Sequence, residues 1–160
     1  MFQRILQPPE TSAFLFGPRG TGKSTWLKRQ FPQATYFDLL DPSMQLRFGQ
    51  QPSLLLEELK DTSAGSWVVL DEIQKAPMHL NSVHKLIEDA QIRFILCGSS
   101  ARKLRRSGVN LLAGRAVLLT MFPLVYREVG ETFNLEKTLT YGMLPATIDS
   151  KDPAAFLRSY

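Results

Sequence analysis

The segment Gly17-Pro18-Arg19-Gly20-Thr21-Gly22-Lys23-Ser24 fits the pattern G-x-x-x-x-G-K-[ST], the Walker A or P-loop spacing that holds a polyphosphate. Gly17, Gly20 and Gly22 permit backbone conformations that side chains obstruct, so successive N–H groups can turn inward on phosphates. Lys23 adds a full positive charge near the β and γ phosphates. The Ser24 hydroxyl is a ligand for Mg²⁺, and Thr25 is expected near the α phosphate. A helix beginning at Lys23 would aim its positive end at the same phosphates. The rival reading is a Gly-rich turn that fits by accident.

A second set of residues suits the same chemistry. Trp67-Val68-Val69-Leu70 is an apolar run that ends in Asp71-Glu72, the Walker B arrangement of acids at the C-terminal end of a strand. Parallel sheets bind ligands at that edge. Asp71 would hold Mg²⁺ through water, and Glu72 would orient and deprotonate an attacking water. Taken alone, the two acids would equally suit a helix start. Gly98-Ser99-Ser100 forms a third element: one serine could reach the γ phosphate or the water, the other could cap a helix. The sequence leaves open which does which.

These groups need a scaffold, and the hydrophobic pattern supplies one. Apolar runs at Ala13–Phe16, Thr35–Phe37, Trp67–Leu70, Phe94–Cys97 and Ala116–Leu119 alternate with helical stretches, the signature of an α/β parallel sheet. Helices are expected from Lys23 to about Phe31, where Pro32 stops the first, then from Asp41-Pro42-Ser43 and from Pro52-Ser53. Further helices are expected over Pro77–Ala90, over Leu124–Val129 and from Pro153 to Tyr160. Between Val129 and Pro153 the pattern weakens.

The motifs resemble the AAA+ superfamily of ATPases. Gly17-Pro18-Arg19, Asp71-Glu72-Ile73-Gln74-Lys75, Gly98-Ser99-Ser100-Ala101, Leu112-Ala113-Gly114-Arg115, Met121-Phe122-Pro123-Leu124 and Tyr141-Gly142-Met143-Leu144-Pro145 are similar to the pattern of a prokaryotic predicted-ATPase family. Members of that family usually carry a C-terminal domain of unknown function. The resemblance implies a three-layer P-loop fold, with a five-stranded parallel sheet in the order 5-1-4-3-2 flanked by helices. It implies ATP as the nucleotide, in keeping with the lack of an Asn-Lys-x-Asp guanine-reading segment. Ser99 or Ser100 then becomes the sensor residue. Arg115, just before strand five, takes the place of an arginine finger that completes a neighbour's site in a homo-oligomer. A solvated strand-edge cation is the alternative for Arg115. Residues 1–130 would form the ATP-binding core, and 131–160 the start of a truncated C-terminal region.

Other residues carry less. His79 and His84 are five apart, which does not suit a shared metal, and both are expected at the surface. The basic run Arg102, Lys103, Arg105 and Arg106 suits a solvated face better than a nucleic-acid or subunit contact. Cys97 and Trp26 are expected to pack as hydrophobes, and Asp38 and Asp41 to cap turns.

Composition narrows the class. Of the 160 residues, 44% are hydrophobic and 21% charged, which excludes a disordered chain. A lone cysteine, no long apolar run and no signal core point to a cytoplasmic protein without a membrane span. The net charge of +4 is compatible with a nucleic-acid target but also with a nucleotide site, and a protein target is equally open. An Mg²⁺-dependent ATPase is the main expectation. A nucleotide switch or oligomerisation module without activity, and a P-loop small-molecule kinase, are the alternatives.

Overall fold

The computed structural model describes residues 2–100, 104 and 112–160. The basic residues Arg102, Lys103, Arg105 and Arg106 lie outside them. Five strands form one sheet in the order β2-β3-β4-β1-β5: β1 (Ala13–Phe16), β2 (Thr35–Asp38), β3 (Trp67–Asp71), β4 (Arg93–Gly98) and β5 (Val117–Thr120). Every pairing is parallel, so the sheet is the expected five-stranded one read from its other edge. Each strand agrees with its sequence expectation to within a residue at either end. β5 is displaced by one, because Val117 rather than Ala116 pairs with Ala13.

The period of two along the strands divides the core into two layers. Phe14, Phe16, Val68, Leu70, Phe94 and Leu96 face one side. There they meet α2 (Pro42–Gln50), α3 (Leu54–Glu58) and α4 (Leu80–Ala90) through Phe48, Leu55, Leu80 and Val83. Ala13, Leu15, Val69, Ile95 and Cys97 face the other side, where α1 (Lys23–Gln30) contributes Trp26 and Leu27. Trp26 therefore packs on the sheet as expected. Two apolar faces buried by helices make β1 a central strand with all four residues buried.

Local signals set the helix ends. α1 starts after Gly22, whose φ of 86° lies in the left-handed region that glycine adopts without cost, and ends one residue before Phe31. The Asp41 carboxylate caps α2 by accepting from the Ser43 and Met44 N–H groups at 2.8 and 3.2 Å. The stretch expected as one helix from Pro77 to Ala90 is divided: a 3₁₀ turn at Pro77–His79 precedes α4. That division corrects the expectation for His79. The turn directs its ring inward, so His79 is fully buried, with Nε2 2.7 Å from the Phe48 carbonyl and the ring centroid 4.8 Å from that of Phe48. His84, on α4 proper, is half-buried.

Where the sequence pattern weakened, short helices follow one another: Tyr126–Val129, Leu135–Tyr141, Pro145–Asp149 and Pro153–Ser159. They return to the P-loop. The Tyr160 hydroxyl donates to the Arg19 carbonyl, and a Cβ at Gly20 would lie 3.3 Å from the Tyr160 ring and 3.7 Å from Leu144. Among the described residues, no helix is long and apolar enough to cross a membrane.

At Gly17 the requirement is space. Met121 N–H donates to the Phe16 carbonyl at 2.7 Å and extends the β1–β5 pairing. A Cβ on Gly17 would stand 2.0 Å from the Met121 carbonyl oxygen. Backbone cannot swing aside as a side-chain tip can. Gly17→Ala is expected to cost at least about 2 kcal/mol, the scale of overpacking. Thermal unfolding should detect this as a fall in Tm of roughly 4–8 °C; an unchanged Tm would show that the β1–β5 junction yields freely.

Candidate nucleotide site

The parallel register sets Phe16 beside Gly98 and Asp38 beside Asp71, so the chain leaves β1, β3 and β4 at one edge of the sheet. The P-loop, Asp71-Glu72 and Gly98-Ser99-Ser100 meet there. Lys23, Asp71 and Glu72 are all buried, which is expensive for charged groups unless they are paired or bonded. Lys23 Nζ donates to the carbonyls of Gly17 and Pro18 at 2.7 and 2.8 Å. Ser24 Oγ donates to Asp71 Oδ2 at 2.7 Å. The fully buried Thr21 braces the loop by donating to the Pro18 carbonyl at 2.9 Å, so its side chain serves the loop rather than a ligand.

Three participants were not singled out for this site by the sequence. The Tyr36 hydroxyl, from β2, donates to the same Asp71 Oδ2 that accepts from Ser24. Burial pushes the Tyr36 phenol well above its usual value, and the Asp71 carboxylate pushes it further, so the phenol keeps its proton and acts as a donor. Cys97 lies fully buried at the end of β4. Burial and then the neighbouring Asp71 hold its thiol protonated. The expectation that Cys97 packs as a hydrophobe holds, with the addition that it lies against the site. The third is Gln74, whose Nε2 donates to Glu72 Oε2 and, at 3.2 Å, to Ser99 Oγ. Ser99 is thereby tied to Glu72; Ser100 is half-buried next to it in the chain.

Two cavities adjoin the P-loop. One, of about 470 Å³, is lined by Arg19, Lys23, Ser24, Leu40 and Glu72, and also by Gly22 and Thr25. The other, of about 460 Å³, is lined by Phe2, Arg4, Leu6, Trp26 and Pro145, and again by Gly22 and Thr25. The start of α1 thus separates a cleft lined by Arg19, Lys23 and Glu72 from a second pocket of mixed polar and apolar lining, which also takes in Arg29 and Asp149. Arg4 secures the N-terminal wall of that pocket. Its guanidinium donates to the carbonyls of Thr21 at 3.1 Å and Phe122 at 2.6 Å, and its Nε lies 3.0 Å from Glu128 Oε1. The Trp26 indole Nε1 is buried without a partner among the described residues.

Arg115 is not brought to this edge. It precedes β5, whose first residue pairs with the first residue of β1, so it lies at the opposite end of the strands from the P-loop. There it pairs with Glu88 of α4, and this hydrogen bond and charge hold the Glu88 carboxyl below the usual carboxylate range. Asp38 and Asp41 serve their own turns, with Asp38 Oδ1 accepting from Leu40 N–H at 2.9 Å.

The family model described as "AAA domain" matches residues 10–130, three quarters of the chain. A search of curated proteins finds no match. Among solved structures, the Walker-type ATPase of Pyrococcus abyssi is similar, with a TM-score of 0.54 and 14% identity over 91% of this chain and 62% of that one. The Pif1 helicase from Candida albicans aligns more loosely, with a TM-score of 0.41 and 15% identity over 96% of this chain and 47% of that one. The chain thus spans about three fifths and about half of the lengths of these two proteins. At such identities the first likeness speaks to fold, and the second carries no argument. The family match and the P-loop geometry agree: the chain belongs to the AAA domain family, as an AAA-like P-loop ATPase domain.

Proposed function

We propose that this domain binds ATP with Mg²⁺ and hydrolyses it to ADP and phosphate. The observation that carries the reading is that Lys23, Ser24 and Glu72 line one cleft while Asp71 stands behind Ser24. The P-loop backbone and Lys23 would hold the β and γ phosphates, since charged phosphate oxygens are stronger acceptors than the Gly17 and Pro18 carbonyls that Nζ now contacts. The hard oxygens Ser24 Oγ and Asp71 Oδ2, 2.7 Å apart, are the donor chemistry that Mg²⁺ prefers, so the residues fit that ion. When bound, Mg²⁺ would neutralise charge on the phosphate oxygens. The Glu72 carboxylate orients a water for in-line attack on the γ phosphorus and accepts its proton as the bond to the β–γ bridging oxygen breaks.

The neighbouring pocket suits a base. Gly22 and Thr25 line both cavities, so one ligand can lie across the start of α1, with its phosphates in the charged cleft and its base beside Leu6 and Trp26. Arg115 would act only on another copy's nucleotide, since its own P-loop lies at the far end of the strands; that role would require the Glu88 pair to open.

Phosphate release from ATP, with no acceptor added, tests the reading. Release should occur with Mg²⁺, stop when EDTA removes the ion and return with excess Mg²⁺. ADP formation that requires an added acceptor would support a kinase instead. Nucleotide binding without release at any protein concentration would leave a switch.

A further inference from the structure

We infer that Gln74 is a positioning residue that holds the Glu72 carboxylate and couples it to Ser99. The inference rests on the hydrolytic reading of Glu72 and adds a residue to it. Four observations converge on the side chain.

The first is its bonding. A carboxylate only accepts, so the amide nitrogen of Gln74 must be the atom that faces Glu72. That nitrogen has two hydrogens, and the structure uses both: one toward Glu72 Oε2, the other toward Ser99 Oγ at 3.2 Å. Ser99 Oγ accepts here, which leaves its own proton free for a phosphate oxygen or the attacking water. Gln74 therefore selects Ser99, of the two serines, as the one wired to the catalytic acid.

The second is the backbone that delivers it. Glu72 is one of three described non-glycine residues with positive φ, at φ 61° and ψ 44°. Such conformations persist where surrounding structure enforces them, and they cluster at functional sites. The left-handed turn ends β3 and starts the 3₁₀ turn Ile73–Lys75, closed by Lys75 N–H to the Glu72 carbonyl at 2.9 Å. Ile73 and Ala76, both fully buried, anchor this turn in the core. Gln74, between them, is carried back toward the end of β4.

The third is the space kept for it. A Cβ at Gly98 would stand 2.4 Å from Gln74 Oε1. The fourth is that Oε1 is buried without a partner among the described residues. An amide that leaves its acceptor unsatisfied is oriented by its donors, here the two bonds of Nε2. A side chain with only a packing role would not need this arrangement.

The test uses Gln74→Met, which keeps the length and apolar stem, and Gly98→Ala, which displaces the amide while leaving Gln74, Glu72 and Ser99 in the chain. Both variants should keep the affinity for ADP, measured by calorimetry, within about threefold and lower kcat by roughly 10- to 100-fold. In a Glu72→Gln background, Gln74→Met should add no further loss, because the residue acts through Glu72. A second readout is independent of turnover. The Gln74 side-chain amide resonances, identified by their loss in Gln74→Met, should move in both Glu72→Gln and Ser99→Ala. Resonances unmoved by either substitution overturn the bridge, and a kcat within twofold of native in both Gln74→Met and Gly98→Ala overturns the positioning role. If the native protein releases no phosphate at all, the hydrolytic reading fails, and the resonances alone decide whether the bridge exists.

Discussion

Lys23→Ala is expected to weaken ATP binding by about a hundredfold. Hydrogen bonds to charged groups contribute about 1.5–3 kcal/mol each. The ammonium sits in a buried, partly water-excluded position, so losing its contacts to two phosphates should cost roughly 3 kcal/mol, which is about two decades in Kd. The fold should survive. Among the described residues, Nζ hydrogen-bonds to the Gly17 and Pro18 carbonyls of its own loop, and the core beneath is built from Leu15, Trp26 and Leu27. Lys23→Met, which retains most of the buried stem, serves as the companion variant. Calorimetry with ATP reads the affinity, and thermal unfolding verifies that both variants remain folded. Equal affinity in native and variant proteins would remove the P-loop from nucleotide binding.

Glu72→Gln should do the opposite: keep binding and lose turnover. The substitution preserves shape and leaves an amide oxygen that can still accept from Gln74, so the turn at Ile73–Lys75 has no reason to move. What disappears is the group proposed to take the proton from water. General-base contributions are typically worth about 10²–10⁴-fold, and a fall in kcat of at least about a hundredfold is expected, with Kd for ATP within about threefold of native. Phosphate release under saturating ATP, alongside calorimetry, separates the two quantities. Turnover equal to native would take Glu72 out of the reaction.

The two substitutions probe the same cleft from its two sides, and both residues were evident in the sequence. Their recognition depended on short spacings. Gly17 to Ser24 is a single loop between a strand and a helix, and Asp71-Glu72 directly ends an apolar run, so chain connectivity alone places each group. The sheet was legible for a related reason. Strands buried on both faces appear as continuous apolar runs, and β1, β3 and β4 do so over Ala13–Phe16, Val68–Leu70 and Phe94–Cys97. The strand order came from resemblance rather than from the runs themselves, because a run records burial and not its neighbour.

Tertiary structure alone decided which groups meet around those motifs. Tyr36 reaches Asp71 across 35 residues, and Gln74 reaches Ser99 across 25. Arg4 reaches Phe122 across 118. No local periodicity encodes such pairs; they exist because parallel register aligns the ends of β2, β3 and β4 at one edge. His79 makes the same point in the core. Its position in an apparent helix argued for the surface, yet a 3₁₀ turn of three residues rotates it inward to meet Phe48, 31 residues earlier in the chain. The bond by which the proposed bridge favours Ser99 over Ser100 is likewise a long-range contact, from the amide of Gln74. The sequence thus specified the nucleotide-binding chemistry through local spacing, whereas the partners that orient each acid and hydroxyl follow from how the strands align.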